Sequence, residues 1–242
     1  MRHLPNFITL LNLFLGCIAI VCAMNGNLNA VPYLVAGAAL ADFADGFTAR
    51  LLHVSSPMGL QLDSLADMVT FGVVPGVTMY RLLQQAHGGS AEATLGQTLP
   101  AFIITVFSAL RLAKFNIDER QIDGFIGLPT PANTLFVVSL IWVAAGTTIW
   151  STCLHQPMVL YGITLLFSYL LVAELPMLSN KIKHWGIKGN ETRLIFLAGV
   201  IILLAFWGIV GISASVLWYV LLSLILKYLP QRFLPGNTPK NR

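Results

Sequence analysis

Four aspartates stand where a bilayer-spanning chain has little reason to carry any. Asp42 and Asp45 lie in ADFADGFTAR, and Asp63 and Asp67 lie in GLQLDSLAD. These otherwise apolar stretches hold four of the ten acidic residues of the protein. A carboxylate near the centre of a membrane helix costs about 2.5–3.5 kcal/mol on insertion scales, and the repulsion of like charges adds to that. Something must compensate, and the simplest candidate is a divalent cation. All-oxygen ligation favours Mg²⁺ or Mn²⁺, and a close pair of such ions is a common device for moving phosphoryl groups.

The elements that must position these groups are helices. At about 100° per residue, Asp42, Asp45, Gly46, Ala49 and Arg50 fall within one arc of about 140°. Asp63 and Asp67 are i, i+4 neighbours on the next helix. The segment His53–Met58 makes the turn between the two; Ser55 or Ser56 can cap the second helix, and Pro57 suits its first position. Asp45 and Asp63 then lie roughly 9–12 Å from the turn, so the acidic pairs face each other at similar depth. Gly46, Ala49 and Gly59 are small enough to let a helix or a ligand approach closely. Arg50, one turn nearer the water, is placed to meet a phosphate. The residues alone leave three readings open: a metal-dependent phosphate enzyme, an ion transporter, and a structural polar cluster.

The chain has 242 residues, of which 56% are hydrophobic and 10% charged, with a mean hydropathy of +0.77. Soluble domains carry about 25% charged residues, so the composition indicates an all-α polytopic membrane bundle. The net charge of +4 is no sign of nucleic-acid binding, because the basic residues sit in short loops and at helix ends. Cys17, Cys22 and Cys153 have neither zinc nor disulfide-framework spacing. Apolar length and turn residues predict about eight spans, near 6–24, 30–53, 58–85, 97–116, 131–150, 156–174, 192–210 and 212–230. The first is read as a retained helix rather than a cleaved leader. One catalytic membrane unit is expected over 1–234, with its motif hairpin at 30–85 and a disordered cytoplasmic tail at 235–242. Of the fourteen Lys and Arg residues, only Arg81 falls on the other side of this topology. Both termini and the mouth of the aspartate hairpin are therefore expected in the cytoplasm.

Written as a pattern, the cluster is Asp42-x2-Asp45-Gly46-x2-Ala49-Arg50-x8-Gly59-x3-Asp63-x3-Asp67. At every position this resembles the motif of the CDP-alcohol phosphatidyltransferase family. Four further stretches, PNFITLLNLFLG, LDSLADMVTFGVVPG, ALRLAKFN and GFIGLPTPA, are similar to the bacterial membrane-embedded branch that makes phosphatidylserine. Together the resemblance covers roughly residues 4–135. It implies an enzyme of the inner (cytoplasmic) membrane with a six-span helical core, usually homodimeric, surrounded by membrane lipids and open to the cytoplasm. The implied reaction displaces CMP from CDP-diacylglycerol with the hydroxyl of L-serine.

The resemblance also assigns roles. Asp42, Asp45 and Asp63 are implied metal ligands. Asp67 is the implied general base and an implied ligand of a second ion. Gly46, Ala49, Arg50, Ser56 and Gly59 fall at the CDP-lipid site. For the acceptor's carboxylate the candidates are Arg111 and Asn116, although Arg111 and Lys114 also read as positive-inside anchors. Gly127–Pro131 reads as a rigid turn or as a wall of the acceptor pocket. Asn6, Thr9, Asn12 and Gly16 share one face of the first helix and read as helix packing, with nucleotide contact as the lesser reading. Trp142, Trp150, Tyr161, Trp207 and Tyr219 read as interfacial or lipid-facing aromatics. Other acceptors in the same family (glycerol 3-phosphate, inositol phosphate or choline) and a cation transporter remain the alternatives.

Overall fold

The computed structural model describes residues 3–54, 56–89, 92–118, 125–178 and 190–228. The expectations for Ser55, for the basic loop with Lys181, Lys183 and Lys188, and for the tail at 235–242 lie outside those residues. Proline and serine mark where the first helices begin. Helix α1 (Leu4–Met24) carries Pro5 in its first turn and α2 (Val31–Leu51) carries Pro32, positions where a missing N–H costs nothing. Helix α3 (Pro57–Asp67) starts on Pro57 behind Ser56, whose Oγ accepts the Gly59 N–H at 2.9 Å.

The third expected span is not one uniform helix. A π-helical segment, Met68–Val73, separates α3 from α4 (Val74–Ala86). Pro75 supplies the reason. It has no N–H, so the Phe71 carbonyl four residues earlier loses its ordinary helical partner. The Thr134 hydroxyl donates to that carbonyl at 2.9 Å, and the Thr105 hydroxyl donates to the Gly72 carbonyl at 2.9 Å. Hydroxyls from neighbouring helices thus satisfy backbone groups that a bilayer would leave bare.

The chain continues through α5 (Leu95–Thr98), a 3₁₀ turn (Leu99–Phe102), α6 (Ile103–Ile117), α7 (Thr130–Ala145), α8 (Ile149–Leu154), α9 (Pro157–Val172), α10 (Glu191–Trp207) and α11 (Gly211–Tyr228). The span expected over 131–150 therefore stops at Ala145, where Gly146 turns extended, and the short α8 follows. Two connections expected to be loops pair as an antiparallel ribbon of β1 (Phe125–Ile126) and β2 (Pro176–Met177), with Phe125 opposite Met177. Gly127 ends it at φ +79°, where a Cβ would stand 2.6 Å from the Leu171 carbonyl, so only glycine fits. Apart from this ribbon, every described regular element is helical.

Each of the eight expected stretches contains helix among the described residues. Four apolar helical stretches, Leu4–Met24, Leu28–Leu51, Leu95–Ile117 and Glu191–Leu226, have the length and composition to cross a membrane, and α7 and α9 are apolar but shorter. Helix α7 runs through the centre; its residues from Phe136 to Ile141 are all buried. One buried cluster gathers Met79, Leu83, Ile104, Phe136 and Phe167 around it, with the two phenyl rings stacked 3.9 Å apart. A second gathers Ala19, Val35, Phe71, Val74 and Val138. Arg81 lies at the end of the bundle that holds the α1–α2 connection, its guanidinium 3.5 Å from where a Gly26 Cβ would stand. Tyr219 corrects the lipid-facing reading: it is buried and donates its hydroxyl to the Leu178 carbonyl at 3.1 Å.

Candidate active site

Helices α2 and α3 carry the acids, and α1 backs them. The buried face of α1 is a stripe of Thr9, Asn12, Gly16, Ala19 and Ala23. A Cβ on Gly16 would come 2.4 Å from Thr70 Oγ1, so α1 and the π segment cross in direct contact. The Thr70 hydroxyl donates to the Asn12 carbonyl at 3.2 Å. Gly59 makes a second close approach, because a Cβ there would lie 3.2 Å from Asn6 Oδ1. These contacts set the rotation of α3 against α1 and, through it, the direction in which Asp63 and Asp67 point.

Asp42, Asp63 and Asp67 come together. Each offers a carboxylate oxygen, and these oxygens lie within 4.8 Å of one another. Asp45 stands outside this triad but within its electrostatic field. It is only 6% exposed, and its Oδ2 has no hydrogen-bond partner among the described residues. Three clustered carboxylates beside a fourth that is buried with one oxygen unpartnered are what a hard divalent cation would satisfy. The donor set is all oxygen, which fits Mg²⁺ or Mn²⁺ and disfavours softer ions.

The other expected residues fall into place unevenly. Arg50 folds back on its own helix, with Nε donating to the Gly46 carbonyl at 3.0 Å, and is exposed. Gly46 presents open space, since a Cβ would meet nothing nearer than the Arg50 Nη2 at 4.0 Å. Ala49 is half-buried on the same helix. Ser56 caps α3, so local structure alone accounts for its place. Arg111 is no surface anchor: it is 7% exposed, donates from Nη1 to Thr130 Oγ1 at 3.3 Å, and lies within electrostatic reach of Asp67. Its guanidinium carbon stands 5.5 Å from the centre of the Phe115 ring. Lys114 does behave as a surface residue and pairs with Glu174 at 3.4 Å. Asn116 is exposed and donates to the Ser64 hydroxyl at 2.9 Å, tying α6 to α3 beside Asp63.

One site partner escaped the sequence reading. Asn12 is fully buried and donates from Nδ2 to Asp67 Oδ1 at 3.4 Å. The polar stripe of α1 was the available signal, but a polar stripe on a membrane helix reads first as packing. It does pack, through Gly16, and Asn12 also touches the acidic cluster.

Comparison with known proteins bears on the same region. Residues 2–173 match the CDP-alcohol phosphatidyltransferase family. The CDP-diacylglycerol–serine O-phosphatidyltransferase of Helicobacter pylori strain J99 is 30% identical over 229 residues, covering 92% of this chain and 93% of that protein. The protein of the same name from Bacillus subtilis strain 168 is 32% identical over 177 residues, covering 72% and 89%. That of Methanocaldococcus jannaschii is 35% identical over 135 residues, covering 56% and 58%. The chain belongs to the CDP-alcohol phosphatidyltransferase family, and its apolar helices agree with an integral membrane protein.

Proposed function

From that membership we propose that this protein transfers the phosphatidyl group of CDP-diacylglycerol to the hydroxyl of L-serine, giving phosphatidylserine and CMP. The observation that carries the reading is the meeting of Asp42, Asp63 and Asp67 within 4.8 Å, at the spacing the family motif requires. The relatives named above act on serine, and two of them align over most of their length.

In the proposed reaction the serine hydroxyl oxygen attacks the phosphorus that bears diacylglycerol. The bond from that phosphorus to the oxygen bridging to CMP breaks, and CMP leaves. A hydroxyl is a weak nucleophile at neutral pH, so a base must accept its proton. Asp67 takes that role, held in position by the amide of Asn12. Asp42, Asp45 and Asp63 would hold the divalent ion, Mg²⁺ or Mn²⁺, with Asp67 at its edge. The ion would neutralise charge on the diphosphate. Gly46 leaves space for the nucleotide against α2, beside Ala49 and Gly59. Arg50 swings from the Gly46 carbonyl to a phosphate, and Ser56 contacts the CDP moiety from the start of α3. Arg111 accepts the carboxylate of serine; its burial and the absence of a carboxylate within 4.0 Å among the described residues support this. Asn116 supports that side of the site.

The proposed setting is the inner membrane, with eight spans, both termini and the site on the cytoplasmic side, and a single catalytic unit over 1–234 acting as a homodimer. The test is CMP release by purified protein given CDP-diacylglycerol, a divalent metal and one alcohol at a time. Release with L-serine is expected. Release with glycerol 3-phosphate alone would move the protein within its family, and no release with any alcohol would sink the enzyme reading.

A further inference from the structure

One turn beyond Asp67, where α6 and α7 pass the π segment, buried polar side chains lack partners. Ser108 and Asn133 are 0% exposed and Arg111 is 7% exposed. Among the described residues neither amide atom of Asn133 is hydrogen-bonded, and neither are Ser108 Oγ and Arg111 Nε. Their neighbours show that they converge. Arg111 donates to Thr130. Thr130, Asn133 and Thr134 share one face of α7 at i, i+3 and i+4 spacing, and Thr134 donates to the Phe71 carbonyl. Ser108, one turn before Arg111 on α6, lies so close to the π segment that a Cβ on Gly72 would stand 3.3 Å from its own. Each unpartnered atom thus belongs to Arg111 itself or to a residue one helical turn from the Arg111–Thr130 contact.

A buried amide with neither end paired is a cost that native interiors seldom retain. Thr130 and Thr134 on the same face are both engaged, so the shortfall is local to Asn133. An amino acid brings two head groups that need opposite treatment: the carboxylate needs donors and the ammonium needs acceptors. Arg111 is donor-only, whereas Asn133 Oδ1 and Ser108 Oγ can accept. Both are neutral, so they add no charge beside four aspartates. Each is one helical turn, about 5–6 Å, from Arg111 or from the Thr130 that Arg111 touches.

We propose that Asn133, with Ser108, reads the amino group of the acceptor while Arg111 holds its carboxylate, making Asn133 a specificity-determining residue. This rests on the serine-transfer reading above. Sites that pair a substrate N–H discriminate strongly against analogues lacking it, because the site's own polar atoms are then stranded.

The test compares L-serine with 3-hydroxypropionate, which is serine without the amino group, using the full-length protein in mixed micelles with CDP-diacylglycerol and Mn²⁺ or Mg²⁺. The wild type is expected to favour serine by about a hundred-fold or more in kcat/KM. Asn133→Leu and Asn133→Ser should each raise the KM for serine by about ten-fold or more and shrink that preference, while the KM for CDP-diacylglycerol stays within about two-fold. Asn133→Leu should melt no lower than wild type, because an unpaired buried amide has been removed. An unchanged serine preference in both variants overturns the inference alone, as does loss of folded protein in both, which would make Asn133 a packing residue. A wild type that releases CMP with another alcohol but not with serine overturns the acceptor reading and this inference with it.

Discussion

The third span and the C-terminal helix pair are both long, yet different forces hold them. The span from Pro57 to Ala86 is broken by a π segment, and the breaks are stitched from outside: Thr134 and Thr105 hydroxyls hold the Phe71 and Gly72 carbonyls, and Thr70 reaches the Asn12 carbonyl. Helix α10 has no buried residue at all. It rests on α11 through Gly199, where a Cβ would collide with the Trp218 indole, and α11 is fastened to α7 by the Ser139–Ser213 hydroxyl pair at 2.6 Å. The third span is thus positioned by bonds to its own backbone carbonyls, and the C-terminal pair mainly by close packing, with side-chain ties from Ser213, Tyr219 and Ser223 on α11 alone. A region that must aim carboxylates needs the first kind of constraint; a region that only fills membrane volume can use the second.

That contrast can be broken in four places. The largest effect belongs to Asp67→Asn. Removing a positioned base should lower kcat by about 10²- to 10⁴-fold, while CDP-diacylglycerol binding, measured separately, largely survives. Parallel loss of both would make Asp67 a metal or folding residue instead. Next is Asn12→Ala, which frees the Asp67 carboxylate. Loss of an outer-shell partner should raise the metal concentration needed for half-maximal CMP release by about 10- to 100-fold; an unchanged metal titration would return Asn12 to simple packing. A smaller, structural effect is expected from Thr134→Val. It strands the carbonyl that Pro75 already deprived of its partner, at a cost of about 0.6–2 kcal/mol for a hydrogen bond within a membrane bundle. A thermal melt in detergent reads the loss, and an undisturbed melting temperature would mean that the π segment does not depend on its hydroxyl partner. The smallest effect should follow Ser213→Ala, under about 1 kcal/mol with turnover intact, because Ser139 keeps its second bond to the Phe136 carbonyl at 2.7 Å. A large loss of activity there would erase the distinction between the two regions.

Much of the helical plan was legible in the chain, because helix length, proline position and capping are local properties. Ser56 and Pro57 announce the start of α3, and α3 begins there. The π segment was not legible, although Pro75 was in plain view. A proline in a membrane helix can kink it, end it or be absorbed, and the choice depends on which hydroxyls stand opposite. The β1–β2 ribbon was missed for a similar reason: two residues on each side leave no periodicity to read, and their pairing joins segments about fifty residues apart. Arg111 illustrates the same limit. Near a helix end beside Lys114 it read as a solvated anchor as readily as a carboxylate-binding residue, and only the packing of α6 against α7 shows it buried on Thr130.

The spacing of Asp42, Asp45, Asp63 and Asp67 by itself determined which carboxylates share a helix face and how far each pair lies from the turn at 53–58, since both follow from the rise and turn of a helix. Which of the four actually meet was a matter for the tertiary structure. Asp42 joins Asp63 and Asp67 while Asp45 stands apart, buried with its Oδ2 unpartnered among the described residues. That outcome depends on how α3 is rotated against α1 and α2. The rotation is set by contacts between residues distant in the chain, Gly16 against Thr70 and Gly59 against Asn6, and no local periodicity encodes it.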